Sequence, residues 1–204
     1  METSKNTMDG KPRRAKFANI EPHLYEQTLQ SMVFGAIDRI SNSKPDRVAC
    51  YNDVHNPADT VTYVQLKERS LAIAAFLHSK GLQKGAHAAL VLPNRWEFIA
   101  SWLGLLFQGM SFTGISPTYG KLDMRRTLKK SLATVVFVDS KSLEKIRIVK
   151  RAEGAIKYIV VVDAIEAELA ADEYSFDAIV RSSVDHARTP VQVEPDDVPY
   201  MPFS

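Results

Sequence analysis

The chain is poor in the residues on which recognisable chemistry usually rests. Its 204 residues include a single cysteine, Cys50. One thiol excludes an internal disulfide framework, and the chain reads as intracellular. Glycine is scarce at nine residues, and none lies in a G-x-G-x-x-G turn after a strand or in a G-x-x-x-x-G-K-[ST] loop. Neither of those backbone cradles for phosphate is therefore available. The five histidines, His23, His55, His78, His87 and His186, are scattered without metal-ligand spacing. None is set against a carboxylate in a pattern that argues acid–base work. The excess of charge is small too, 26 basic residues against 24 acidic, a net of +2. Nucleic acid is not an expected partner, because binding phosphates needs a concentrated basic face. No apolar run follows Met1, so no signal peptide is read. On these grounds no catalytic, cofactor-binding or metal-binding residue is nominated.

What is present is periodic pattern. A hydrophobic fraction of 45% and a charged fraction of 25% are those of an ordinary globular protein. Residues 1–21 carry Lys5, Lys11, Arg13, Arg14 and Lys16 without periodicity. They read as a disordered basic tail, with a transit peptide or targeting patch as the competing reading. Residues 22–204 form the folded part.

The pattern is centred on Gly81 to Tyr119. Gly81 and Gly85 bracket a turn, and Ala88 to Leu92 is an apolar run that stops at Pro93-Asn94. A long apolar segment, Arg95 to Gly109, follows, then a second run, Met110 to Ile115, closed by Ser116-Pro117. This is strand, helix, strand with short links, a βαβ unit in a parallel sheet. Asn94 is read as the N-cap of the helix, with Glu97 as its capping-box partner. Phe98 to Ile115 contains no charge, and 18 helical residues would reach about 27 Å, nearly a bilayer core. Gly104, Gln108, Gly109, Ser111 and Thr113 interrupt that span, so a membrane partner is not expected.

The flanks repeat the alternation. A helix over Thr28 to Ile40 presents Leu29, Met32, Val33, Ala36, Ile37 and Ile40 on one face. A short strand spans Arg47 to Tyr51, and a turn covers Asp53 to Asp59. Thr62-Tyr63-Val64-Gln65 is a capping-box pattern that opens a second helix, which ends at Gly81. Later come a basic helix from Leu122 to Ser131, a strand from Thr134 to Asp139, a helix from Leu143 to Ala152, and a strand from Tyr158 to Asp163. Residues Ala164 to Val180 are ambiguous, Ser182 to Asp197 is a surface connection, and Val198 to Phe203 begins another strand. The fold class is α/β, a mostly parallel sheet with helices on both faces. Asp139 and Asp163 end strands where such sheets place ligands; the preferred reading of each is plainer, the first polar residue after a strand or an N-cap for the next helix.

The order of these features resembles the adenylate-forming superfamily. The residues concerned are Val61-Thr62-Tyr63, then Gly81-Leu82-Gln83-Lys84-Gly85, then Trp96-Glu97-Phe98, Gly109 and Ser116-Pro117-Thr118-Tyr119. That superfamily includes acyl-CoA synthetases, 4-coumarate–CoA ligases and luciferases. The resemblance covers about Leu24 to Ser204. It departs at Ala86, where the family has Asp, and at Ser116, where it has Asn. It implies an N-terminal part of the large domain, ending before the family's phosphate loop. The reaction implied for a full-length member is carboxylate adenylation by ATP with Mg, then acyl transfer to coenzyme A. The isolated chain is expected to bind none of these and to be inactive. Its expected partners are a ligase subunit or a chaperone meeting open sheet edges. The expected location is cytoplasmic or peroxisomal.

Overall fold

A computed structural model describes residues 27–51, 56, 59–182 and 189–202. The tail assigned to residues 1–21 and most of the Asp53–Asp59 turn lie outside the described residues. Helix α1 is Leu29–Ser43 and is capped by Thr28, whose hydroxyl accepts from Ser31 N at 3.1 Å. Strands β1 (Val48–Tyr51) and β2 (Thr60–Thr62) form a small antiparallel pair of their own. Helix α2 runs Tyr63–Ser79, and the capping box of Thr62 and Gln65 is formed in both directions. Its far end is a Schellman turn: Leu82 N bonds Leu77 O at 3.0 Å and Gly81 N bonds His78 O at 2.8 Å. Gly81 supplies the left-handed φ of 70° that this turn requires.

The parallel sheet has the order β4-β3-β5-β6-β7, with β3 His87–Val91, β4 Ser111–Gly114, β5 Val135–Asp139, β6 Tyr158–Val162 and β7 Glu173–Ser175. All four pairings are parallel. The crossovers are α3 (Trp96–Phe107), α4 (Lys121–Ser131), α5 (Leu143–Glu153) and a 3-10 turn at Glu166–Glu168; α6 (Phe176–Arg181) follows β7. The ambiguous Ala164–Val180 stretch thus holds the edge strand and a short helix.

Alternation along the strands divides the core into two layers. Ala88, Leu90, Val135, Phe137, Val160 and Val162 face α1, α2, α3 and α6. Ala89, Val91, Val136, Val138, Ile159 and Val161 face α4 and α5. Both faces are covered, as near-continuous apolar strands require.

Three expectations are corrected. The buried stripe of α1 is Gln30, Phe34 and Ile37, whereas Leu29 and Met32 are exposed. Gln30 displaces an apolar residue there because its amide finds carbonyl acceptors inside, at Leu106 O (2.8 Å) and Val191 O (3.0 Å). Asn94 does not cap α3. The N-cap is Arg95, no side chain bonds the first turn, and Glu97 turns back to the Arg95 guanidinium instead. Within Val198–Phe203 the structure makes one bridge, at Tyr200, not a full strand; Phe203 is outside the described residues. The uncharged run after Phe98 is not one helix. Gly109, at φ 69°, ends it and the chain re-enters the sheet. Among the described residues no helix is long and apolar enough to cross a membrane.

Candidate functional site at the carboxyl ends of the strands

The chain leaves β3 toward β4 on one side and returns past β3 to β5 on the other. In such a sheet the crevice outside the carboxyl ends, at this reversal, is where ligands bind. Four segments meet there: Leu92–Arg95 after β3, Ile115–Tyr119 after β4, Asp139–Ser142 after β5 and Asp163 after β6.

Arg95 dominates the crevice. Its Nε and Nη2 donate to the two carboxylate oxygens of Glu97 at 2.7 and 2.5 Å. Its Nη1 and Nη2 donate to Asp163 at 2.7 and 3.1 Å. The side chain therefore reaches from the end of β3 to the end of β6, across β5 between them. Glu97 is buried, so its charge is tolerable only beside this guanidinium. The bonds to Glu97, against the opposing effect of burial, push the Arg95 pKa above its ordinary value. Asp163 takes a φ of 58°, which turns its carboxylate back over the sheet.

Asp139 is buried and its Oδ1 accepts from Ser142 N at 2.8 Å, so it fixes the turn into α5. Lys145 Nζ donates to Pro117 O at 3.1 Å and ties α5 to the turn after β4. Ser116 and Thr118 hydroxyls lie 2.7 Å apart in that turn. Cys50 borders a groove of about 340 Å³ shared with Asn94, Arg95, Trp96 and Phe98. Burial pushes its thiol pKa up, which lowers its thiolate fraction and its reactivity.

This geometry answers the two open readings for Asp139 and Asp163. The first caps a turn and the second closes an ion pair, and neither is brought near the other's oxygen acceptors as a ligand set. Among the described residues no group of three or more His, Cys, Asp or Glu side chains is arranged to hold a metal ion. Sequence reasoning missed the Arg95–Glu97–Asp163 cluster. Its local half was readable, since residues two apart at a helix start can pair, but Asp163 is 68 residues away.

Beside β4 the last described segment adds to the sheet. Phe112 N donates to Pro199 O at 3.1 Å and Met201 N donates to Phe112 O at 2.9 Å, a parallel bridge between Phe112 and Tyr200. Thr113 Oγ1 donates to Met201 O at 3.0 Å and Ser111 Oγ to Val198 O. The Tyr200 ring packs on Phe112, with centroids 4.9 Å apart. Upstream, Lys84 holds Asp197 at 2.7 Å and lowers its pKa. Because the bridge is parallel, the segment from Pro199 to Met201 runs in the same direction as β4, toward the carboxyl end of the sheet.

Comparisons with known proteins agree with this architecture. The sequence profile of the AMP-binding enzymes matches residues 37–204. The chain is 27% identical over 167 residues to a 4-coumarate-CoA ligase of Narcissus pseudonarcissus, covering 76% of this chain and 29% of that protein. It is 34% identical over 133 residues to a long-chain-fatty-acid–CoA ligase of Yersinia pestis, covering 63% of this chain and 22% of that one. In fold it is similar to the luciferase-like enzyme of the Zophobas morio mealworm. The TM-score is 0.75, over 89% of this chain and 41% of that chain, at 19% identity. The chain spans less than a third of the length of the two ligases. With the profile matched over most of its length, the chain belongs to the AMP-binding enzyme family.

Proposed function

We propose that this chain is the N-terminal portion of an ATP-dependent carboxylate–CoA ligase and is inactive alone. In the whole enzyme a carboxylate would attack the α-phosphorus of ATP, releasing pyrophosphate, and the thiol of coenzyme A would then take the acyl group, releasing AMP. ATP, Mg and coenzyme A are the cofactors of that whole reaction. The residues present here do not fit a nucleotide or Mg site: Glu97, Asp139 and Asp163 are already engaged by Arg95 or a backbone N–H. No step is therefore assigned to them. The observation that carries the reading is the parallel bridge at Tyr200, which aims the following residues at the carboxyl end of the sheet. A phosphate-binding loop there would meet the strand ends, where backbone N–H groups can converge on an anion. The acid substrate is an acyl or aryl carboxylate, and the enzyme would work in the cytoplasm or a peroxisome.

The test compares the chain alone with the same chain joined to the downstream part of a related ligase. Pyrophosphate release is followed with Mg-ATP, coenzyme A and a panel of fatty and hydroxycinnamic acids. Release is expected only from the joined protein. Release by the chain alone would refute its inactivity, and a folded joined protein that releases none would refute the ligase reading.

A second reading is a non-catalytic module that pairs with another ligase chain or is held by a chaperone. It is favoured by β7, an edge strand among the described residues, and by the exposed Val198 and Tyr200. Co-purification of a ligase chain supports it; a clean monomer that retains no partner counts against it.

A further inference from the structure

The small net charge conceals a segregation. Residues 121–153 hold ten Lys and Arg against four Asp and Glu, a net of +6 in a chain whose total is +2. The structure gathers these residues onto one side, because α4 and α5 alone cover their face of the sheet. We propose that the outer face of the α4–α5 layer docks the protein peripherally on an anionic lipid surface. This goes beyond the ligase reading and does not depend on it.

Three observations carry the proposal. First, much of the positive charge is not cancelled locally. Asp123, Glu144 and Glu153 pair with Arg126, Arg147, Arg151, Arg125 and Lys129, and from outside the stretch Asp172 and Glu173 pair with Lys150 and Arg147. Among the described residues no carboxylate is paired with Lys121, Lys130, Lys141 or Lys145. Even the paired cations stand out in water: the side chains of Arg126, Lys129 and Arg151 are 66%, 70% and 71% exposed. Clusters of this size on amphipathic helices are what an anionic leaflet attracts.

Second, large apolar side chains rise from the same face. Leu122 is 59% exposed and Ile148 39%. Third, Leu122 and Ile148 flank a groove of about 290 Å³ between the two helices, rimmed by Lys121, Arg125 and Lys145. A groove with an apolar floor and a cationic rim suits a lipid headgroup above a hydrocarbon phase. A nucleic acid offers the phosphates but no apolar phase, so it leaves Leu122 and Ile148 without partners. The sequence expectation against a membrane concerned a spanning segment, which does not bear on a surface.

The experiment is vesicle co-sedimentation of the full chain with phosphatidylcholine, with and without about one third phosphatidylserine. Binding is expected only to the anionic vesicles and should fall steeply as salt is raised. Neutralising three cations, Arg126→Gln with Lys129→Gln and Lys130→Gln, should lower the partition coefficient by on the order of 100-fold. Leu122→Ser with Ile148→Ser should lower it roughly 10-fold. A tail variant, Lys11→Gln with Arg13→Gln and Arg14→Gln, should retain the binding. Equal binding to neutral vesicles, full retention by the α4 variant, or loss confined to the tail variant would each overturn the proposal. So would tighter binding to duplex RNA or an acidic peptide that the α4 variant abolishes. The substituted α4 and α5 residues are on the surface, and matching circular dichroism melts check the fold. The salt series on the unsubstituted chain tests the proposal without any variant.

Discussion

Gly104→Ala probes the packing of the helix layer that organises the chain. Gly104 lies where α3 crosses α2. A Cβ built there would sit 2.7 Å from Ile73 Cγ2, 2.8 Å from Ile73 Cβ and 2.9 Å from the Ser70 carbonyl oxygen. None of these atoms is the free end of a flexible side chain. Ile73, Ser70 and Leu77 are all fully buried, so the contact is relieved only by moving the helices apart. Two effects compete. Alanine in a helix interior is favoured over glycine by about 1 kcal/mol. Overpacking a dense core costs about 1–3 kcal/mol, and because this contact involves backbone the cost falls in the upper part of that range, about 2–3 kcal/mol. Overpacking should win, leaving a net loss of about 1–2 kcal/mol and a melting temperature lowered by roughly 2–8 °C for a chain of this size. Circular dichroism melting checks it. Ile73→Ala removes Cγ2, costing about 2–5 kcal/mol alone, but it makes room for the new methyl. The double variant should therefore be less destabilised than the sum, by about 1 kcal/mol. A Gly104→Ala protein that melts at or above the parent temperature would refute the close crossing.

Other substitutions test the polar anchors. Gln30→Ala removes an amide that bonds Leu106 O, Phe107 O and Val191 O, and should cost about 1–3 kcal/mol; faster amide exchange at Val191, which bonds Phe107 O, is the local readout. Arg95→Ala leaves Glu97 buried without its counter-charge and should cost about 3 kcal/mol, with Arg95→Ala/Glu97→Gln partly restored in urea unfolding. Glu173 is held below the usual carboxylate range by hydrogen bonds from Arg147, against the opposing effect of burial. A lowered folded pKa means that the pair stabilises the fold above the unfolded value, near pH 4.3, and that this is lost as pH falls through the folded one. Glu173→Gln should therefore flatten the acid limb of a stability–pH profile, while costing about 1–3 kcal/mol at neutral pH.

How much of this was legible in the sequence follows from range. Local signals were read correctly where the physics is local. The Thr62–Gln65 capping box, the left-handed Gly81 and the apolar strands at Val135–Asp139 and Tyr158–Val162 all depend on residues within a few positions. The misreadings lie where a distant partner decides. Gln30 is buried because carbonyls some 76 and 161 residues away accept its amide protons. Arg95, not Asn94, is the N-cap of α3 in part because Glu97 is drawn to a guanidinium that also reaches Asp163. β7 is three residues long and owes its strand geometry to pairing with β6, so no run of apolar residues announces it. The uncharged run, by contrast, was legible as helix, turn and strand because its break is local: Gly109 turns left-handed and sends Ser111 back into the sheet.

The same distinction governs where chemistry can enter. At the reversal of strand order the crevice is spanned by Arg95, whose guanidinium makes four hydrogen bonds to two carboxylates, and burial of Glu97 makes that ion pair costly to open. A ligand arriving there would have to displace a charge-assisted bond on both sides. On the β4 side the arrangement differs. There the carboxyl end offers the hydroxyls of Ser116 and Thr118, and the neighbouring segment is held by backbone bonds to Phe112 and by Thr113. A chain extending past Met201 would meet hydroxyls and backbone there in place of a closed ion pair. On the proposed ligase reading, the anion site should therefore sit beside β4. Arg95→Ala then becomes a discriminating measurement in the joined ligase: a stability loss with unchanged KM for ATP fits this placement, and a KM raised by an order of magnitude or more, in a protein that still folds, would move the site back to the β3–β5 crevice.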